Sequence, residues 1–165
     1  MGPISSAPLS GSLVRLPIVT RDEAALMLDG GRLDWFAEGY PRKDDLDAVR
    51  MSDGSAWSPR HVIGPRDGLA VGSIGFFGPP GADGQVEVGY GLVESARGQG
   101  LATDALTVIV AAAEAAGARV IAHTAADNLP SQRVLARCGF VRDDGHVNAA
   151  GDWRYVRPVT APPAR

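Results

Sequence analysis

The sequence predicts a single α/β domain in which helices pack on both faces of a mixed, mostly antiparallel sheet. The chain has 165 residues, of which 45% are apolar and 21% are charged, which suits one hydrophobic core. Strand and helix patterns follow one another along it in the order β-α-α-β-β-β-α-β-α-β-β. We therefore expect a mobile N-terminus over residues 1–12, one domain over 13–157 and a mobile tail over 158–165.

The first half of the chain predicts one strand, two helices and then an antiparallel meander. A short strand over residues 13–19 precedes Thr20, an N-cap residue whose capping box is completed by Glu23. A second helix, broken around the Tyr40-Pro41 bond, comes next. Strands near residues 60–64, 69–77 and 86–93 then supply the meander, which leads into the central stretch.

The central stretch is a strand, a glycine-bearing turn and a helix that Gly117 ends. Gly98 and Gly100 lie where the helix begins, so backbone N–H groups face outward at the positive end of the helix dipole. This arrangement favours a phosphate ligand, although a plain strand-to-helix turn with incidental glycines is the alternative. A P-loop is excluded because no lysine is present here, and a dinucleotide fingerprint lacks its third glycine.

Two motifs with ordered spacing give a family resemblance. Arg97, Gly100 and Ala102 fit the pattern R-x-x-G-x-A, and Asn128 and Ser131 fit N-x-x-S ahead of a Gly-Phe pair. With these motifs, residues 60–157 resemble the GNAT N-acetyltransferases and are most similar to the branch of the RimJ/RimL type. The resemblance implies the GNAT form of the α/β fold described above.

The resemblance implies acetyl-CoA or coenzyme A as the bound cofactor. Its pyrophosphate would lie on the turn, and backbone N–H groups near the end of the preceding strand would face the acetyl carbonyl. The predicted cofactor-binding residues are Leu92, Val93, Arg97, Gly98, Gln99, Gly100, Leu101, Ala102, Asn128 and Ser131.

The catalytic residues implied by the resemblance are Glu87 as the base and Ser131 as the acid. Many members of the family place an acidic tyrosine at a position that is Leu135 here, and a leucine cannot donate a proton. The alternatives are that Glu87 points to solvent and that the Ser131 hydroxyl serves only local backbone groups. Trp35, Phe36 and Tyr40 are predicted to wall the acceptor pocket, with ordinary core packing as their alternative.

The acidic residues of the early helical region have two interpretations. They can attract an amine, or they can form a solvated helix face, which we favour. They are Asp34, Asp44, Asp45 and Asp47.

The predicted function is an N-acetyltransferase that moves an acetyl group directly from the CoA thioester to an amine in a ternary complex. The acceptor is a protein N-terminus or a small-molecule amine. A non-catalytic acyl-CoA-binding sensor of the same fold is the alternative, because of Leu135. A nucleotide-binding enzyme of Rossmann type is weakened by the missing glycine.

Composition argues against several other classes. The net charge of −3 gives no field for nucleic acid, and no apolar run is long enough for a membrane span. One cysteine, Cys138, and three scattered histidines supply no metal-ligand spacing, so we expect no metal. Nearly all basic residues are arginine, which is typical of a GC-rich genome and favours a bacterial, cytoplasmic protein. A homodimer is left open.

Overall fold

The computed structural model describes residues 2–158, which form eight strands and four α-helices. The strands are β1 (Leu9–Ser10), β2 (Arg15–Leu16), β3 (Arg60–Ile63), β4 (Ala70–Phe76), β5 (Gln85–Leu92), β6 (Arg119–Thr124), β7 (Val141–Val147) and β8 (Trp153–Val156). The helices are α1 (Arg21–Leu28), α2 (Lys43–Arg50), α3 (Leu101–Ala115) and α4 (Leu129–Arg137), with a short 3-10 helix at Glu94–Ala96. No described helix is both long and apolar enough to cross a membrane.

All described strands belong to one sheet, in the order β1-β2-β3-β4-β5-β6-β8-β7. Every neighbouring pair is antiparallel except β5 and β6, which run parallel. The predicted fold class, a mixed and mostly antiparallel α/β sheet, is confirmed.

Helices cover both faces of this sheet. Neighbouring residues of a strand point to opposite faces, and on β5 the Gly91 backbone lies against the side chain of Arg42 at the start of α2. The adjacent Tyr90 instead contacts Ser131 of α4. Helices α2 and α4 therefore lie on opposite sides. The longest helix, α3, packs beside α4 and buries Leu106 and Ile109 completely.

The helix ends follow the chemistry that the sequence predicts. The Thr20 hydroxyl accepts from the Glu23 N–H at 3.2 Å, and Glu23 accepts from the Thr20 N–H at 2.9 Å, which completes the capping box. Gly117 has φ of +88° just after α3, where only glycine is comfortable. The side chain of Asn128 caps α4.

The N-terminal segment differs from the prediction of a mobile stretch over residues 1–12. Residues 9–10 form β1 on the edge of the sheet, and Ile4 is 5% exposed in the core. The buried Arg60 guanidinium donates to the Ala7 carbonyl at 3.0 Å and also to that of Ser5. Small, polar residues predict mobility only when nothing binds their backbone, and here a buried cation does. The predicted tail over 158–165 lies, except for Pro158, outside the described residues.

Candidate functional site

Two cavities meet at a gap in the sheet between β5 and β6. These strands pair only from Gln85 to Glu87, opposite Arg119 to Ile121, and then diverge. The helix-end cavity encloses about 610 Å³ and is lined by the turn before α3, the start of α3 and one side of α4. The acidic cavity encloses about 540 Å³ and is lined mainly by α2, β4, β5 and β6. The residues that line both form the junction: Arg42, Asp44, Tyr90, Asn128 and Ser131.

The helix-end cavity offers unpaired backbone donors at the start of α3. Within the described part of the chain, no N–H from Gly98 to Thr103 donates to a protein acceptor, and the first to do so is that of Asp104. Gly98 and Gly100 have φ of +74° and +79°, which bends the backbone around this cavity. A Cβ built on Gly98 would meet nothing within 4 Å, so ligand atoms can approach the backbone closely.

Three arginines besides Arg42, which is paired with Asp45, add positive charge to the same cavity. Arg97 is predicted from the sequence, and its Nε donates to the Leu92 carbonyl at 3.2 Å, which orients the guanidinium. Arg133 and Arg137, one turn apart on α4, also line the cavity. Neither was predicted from the sequence, although their spacing of four residues places them on one helix face. Free amides and three guanidinium groups fit the phosphates of coenzyme A.

The other predicted cofactor-binding residues of this region divide into two groups. Leu101, Ala102 and Leu92 line the helix-end cavity. Gln99 does not, and its side-chain amide donates to the Ser95 carbonyl at 3.0 Å. Val93 is buried, with an exposed fraction of 4%.

The edge of β5 supplies backbone donors at the gap, but not at every predicted residue. The Val93 N–H donates to the Val71 carbonyl of the β4 side at 2.8 Å, so it is unavailable to a ligand. N–H groups alternate between the two edges of a strand, which places those of Tyr90 and Leu92 on the edge that β6 has left. The N–H groups that face the gap are therefore those of Tyr90 and Leu92, while that of Val93 is paired within the sheet.

A pair of hydroxyl groups lies at the junction. Tyr90 Oη is 2.9 Å from Ser131 Oγ and 3.2 Å from the Ser131 carbonyl oxygen. The Ser131 N–H donates to Asn128 Oδ1 at 3.2 Å, which fixes the first turn of α4. Burial raises the pKa of Tyr90 to about 12, so its phenol keeps its proton at neutral pH. Leu135, at the position where the family often has tyrosine, is 1% exposed.

The acidic cavity contains a carboxylate and an imidazole in contact. Glu87 Oε1 and His123 Nδ1 are hydrogen-bonded across β5 and β6, and both side chains are partly buried. Because Glu87 is aligned with Ile121 in the parallel register, residue 123 lies on the same face two positions further along. Glu87 thus faces the cavity and contacts His123, which was predicted from the sequence to be one of three scattered histidines without a partner.

The remaining acids of this cavity differ in how far they are neutralised. Asp45 is fully buried, and the Arg42 guanidinium donates to both of its oxygens at 2.8 and 2.9 Å. Asp47 accepts from Lys43 and Arg50 at 2.7 and 2.9 Å. Asp44 lies at the junction, and Asp152 lines the cavity from the turn before β8. The described acidic, histidine and cysteine side chains form no group that could hold a metal ion.

The three aromatic residues predicted to wall the acceptor pocket lie elsewhere. Trp35, Phe36 and Tyr40 surround His61 with ring centroids 4.9 to 5.8 Å apart, and neither cavity is lined by them. Tyr40 is fully buried and its hydroxyl is 2.7 Å from His61 Nδ1. The structure matches the alternative of core packing. The apolar walls of the acidic cavity include Met51 and Phe77, which no pattern in the sequence singled out.

A family model described as an acetyltransferase (GNAT) domain matches residues 29–141. The chain belongs to the GNAT acetyltransferase family. The predictions of the family and of an enzyme of the acetyltransferase class are thereby confirmed at the level of the family.

Known proteins similar to this GNAT chain agree with that assignment. An uncharacterized N-acetyltransferase YjdG from Bacillus subtilis is 33% identical over 89 residues, which are 52% of each chain. The match thus spans about half the length of that relative. Mycobacterium smegmatis RimJ, solved in complex with CoA-disulfide, has a TM-score of 0.60 at 22% identity, covering 94% of this chain and 88% of that one. A putative ribosomal-protein-serine acetyltransferase from Vibrio cholerae has a TM-score of 0.60 at 19% identity, covering 94% and 97%. These two structures share the fold.

Proposed function

We propose that this protein transfers an acetyl group from acetyl-CoA to an amine within a ternary complex. The observation that carries the proposal is the gap between β5 and β6, where two cavities with different chemistry share a common wall. One cavity suits phosphates and the other suits a cation. Two substrates bound side by side at the gap would bring their reacting groups together without a covalent enzyme intermediate.

The helix-end cavity would hold acetyl-CoA. The amides of Gly98, Gly100, Leu101 and Ala102 would donate to the pyrophosphate, and Arg97, Arg133 and Arg137 would add charge-assisted bonds. When bound, acetyl-CoA supplies an acetyl group activated as a thioester. The N–H groups of Tyr90 and Leu92 would stabilise the negative charge that develops on the acetyl oxygen.

Proton removal from the acceptor falls to Glu87 together with His123. An α-amino group has a pKa of about 8 and an alkyl amine one of about 10, so at neutral pH either must lose a proton before it can attack. In the Glu87–His123 pair, the carboxylate holds Nδ1 of the ring, and Nε2 remains as a second atom able to accept a proton. The pair, rather than Glu87 alone, is the proposed base.

The acceptor would carry a positive charge before it reacts. Asp44, Glu87 and Asp152 bring negative charge to the wall of the acidic cavity, which raises the local concentration of an ammonium group. We place the protein in the RimJ/RimL-type branch of the family and in the cytoplasm. The motif around Asn128 and Ser131 and the match to the fold of RimJ support that branch.

Thermal-shift titration tests the cofactor first. Acetyl-CoA and CoA should each raise the melting temperature, because a ligand bound only to the native state stabilises it, whereas NAD and ATP should not. Release of free thiol from acetyl-CoA in the presence of candidate amines then tests transfer. No shift with either form of CoA would refute the proposal.

The Glu87→Gln variant separates an enzyme from a non-catalytic CoA sensor. A lost general base lowers kcat by roughly 100-fold, while the affinity for acetyl-CoA should stay unchanged. Glu94→Gln, in the short 3-10 helix and outside both cavities, is the matched control and should keep full activity. Binding of acetyl-CoA without thiol release from any amine would favour the sensor.

A further inference from the structure

Tyr90 and Ser131 form a contact between two elements that are 41 residues apart. Tyr90 comes from β5, where the strand leaves β6, and Ser131 comes from the first turn of α4. Their hydroxyl oxygens are 2.9 Å apart at the junction of the two cavities. Acetyl transfer would take place at this junction, so the orientation of the two hydroxyl protons determines which of them can donate to a substrate.

Two arrangements of the hydroxyl protons satisfy this geometry. In one, Ser131 donates to Tyr90 Oη and Tyr90 donates to the Ser131 carbonyl at 3.2 Å, which leaves no donor for a ligand. In the other, Tyr90 donates to Ser131 Oγ, and the Ser131 O–H is directed away from Tyr90. A negative charge in the cavity favours the second arrangement, because a donor to an ionised acceptor forms the stronger bond.

A hydroxyl pair of this kind can hold a thiolate but is poorly suited to protonate one. Burial raises the pKa of Tyr90 to about 12, whereas an ordinary thiol has a pKa of about 8.5. Passing the phenol proton to sulfur would therefore be unfavourable. A hydrogen bond from Ser131, supported by Tyr90, stabilises the departing charge without moving that proton.

We propose that Tyr90 is a positioning residue that fixes Ser131 Oγ so that the Ser131 O–H donates to the CoA sulfur as it departs. This inference rests on the proposed function. The acceptor ammonium first loses one proton through the Glu87–His123 pair to solvent. The N–C bond then forms, the C–S bond breaks, and its electron pair stays on sulfur. The second amine proton goes to the Glu87–His123 pair, and CoA leaves as a thiolate that takes up a proton from solvent.

The test without turnover is the pH dependence of CoA affinity in the full-length protein. Calorimetric dissociation constants for CoA and acetyl-CoA are compared from pH 6.5 to pH 9.5. Acetyl-CoA has no free thiol, so their ratio isolates the thiol and cancels other titrations at the site. The Cys138 thiol acts on Tyr90 and is common to both titrations. The charged groups that line the two cavities are Arg42, Asp44, Asp45, Asp47, Glu87, Arg97, His123, Arg133, Arg137 and Asp152.

In the wild type, the dissociation constant of acetyl-CoA divided by that of CoA should be about tenfold larger at pH 9.5 than at pH 6.5. One hydrogen bond to a charged group has an effect of about this size. In Tyr90→Phe this gain should fall below about threefold, as it should in Ser131→Ala. Ser131→Thr, which keeps a hydroxyl, should restore most of it. Tyr155→Phe removes a phenol on β8 that lines neither cavity and should behave as wild type.

Kinetics supply the second measurement. Tyr90→Phe should lower kcat about tenfold and leave KM for acetyl-CoA unchanged. If Tyr90 acts only through Ser131, the double variant should be no slower than Ser131→Ala alone. Losses that multiply, or a wild-type pH dependence in both Tyr90→Phe and Ser131→Ala, would overturn the inference. Should Tyr90→Phe fail to fold, the Ser131 variants still decide whether a hydroxyl holds the sulfur.

The two proposals fail in different ways. A wild-type protein that binds neither form of CoA refutes the proposed function itself. A wild-type protein that binds CoA and transfers acetyl groups, but whose CoA affinity shows no thiol-dependent rise with pH, refutes only the role of the hydroxyl pair.

Discussion

Gly98 has positive φ and open space around its Cα, at the point where the turn enters the helix-end cavity. A side chain there would be strained, and it would also occupy the volume that a phosphate needs. These two effects can be separated because Gly68, in the turn between β3 and β4, has φ of +71° and equally open surroundings. Gly68 lines neither cavity.

We expect Gly98→Val and Gly68→Val to lose similar stability, on the order of 1–2 kcal/mol, because valine is unfavourable at positive φ. Only Gly98→Val should also weaken acetyl-CoA binding, by tenfold or more. Urea unfolding gives the first quantity and calorimetry the second. Equal affinity for acetyl-CoA in the two variants would show that the turn does not bind the phosphates.

Single residues also differ in how well the sequence alone predicts their conformation and their contacts. The turn from Arg97 to Ala102 is predictable because its conformation and its donors depend on neighbours in the chain. The partners of Glu87 and Ser131 are not predictable in this way. His123 lies beside Glu87 because of the parallel register of β5 and β6, and Tyr90 contacts Ser131 where these two strands diverge. Once β5 and β6 are recognised as a parallel pair, alternation would have placed Glu87 and His123 on one face.

At the scale of elements, the N-terminal hairpin is attached to α3 by one carboxylate. Asp104 accepts from the N–H groups of Ser12, Leu13 and Val14 at 3.2, 2.7 and 3.0 Å. It also lies in the first turn of α3, where a negative charge is favourable. Local composition predicted a mobile segment here, since an acceptor some 90 residues downstream leaves no mark on the segment itself.

We expect Asp104→Ala to destabilise the protein by about 2–3 kcal/mol, because several backbone donors lose a charged acceptor. Hydrogen exchange should become faster across β1 and β2 while the β4–β5 ladder stays protected. Glu114→Ala is the control at the other end of α3. It removes a partly exposed ion pair with Arg157, for which a loss of about 1 kcal/mol or less is expected. Unchanged exchange in the hairpin would contradict the role given to Asp104.

At the scale of the whole molecule, a set of buried hydrogen bonds around His61 of β3 joins this strand to α1 and to the segment that precedes α2. His61 is fully buried, with Nε2 at 3.0 Å from Glu23 Oε2 and Nδ1 at 2.7 Å from Tyr40 Oη. Burial lowers the pKa of His61 below its ordinary value, although Glu23 and Asp45 act in the opposite direction. The folded state therefore binds fewer protons at this site than the unfolded chain does.

Stability from His61 should be fully present above pH 6.5, near the unfolded pKa of histidine, and should decline as the pH falls below it. Melting temperatures measured from pH 7.5 to pH 5 should show this slope in the wild type and in His146→Gln, whose side chain is exposed. In His61→Gln the protein should be less stable overall, and the slope should be shallower. An unchanged slope in that variant would assign the pH dependence to other groups.

The gap between β5 and β6 also determines how a bisubstrate inhibitor would have to bind. The acidic cavity is lined mainly by α2, β4, β5 and β6, the helix-end cavity mainly by the starts of α3 and α4, and the two share their wall at the junction. A single molecule that joins CoA to the acceptor would therefore occupy both cavities, with its linker at the junction. Such a molecule could dissociate only when both ends leave their cavities. Its residence time would therefore exceed that of either half alone.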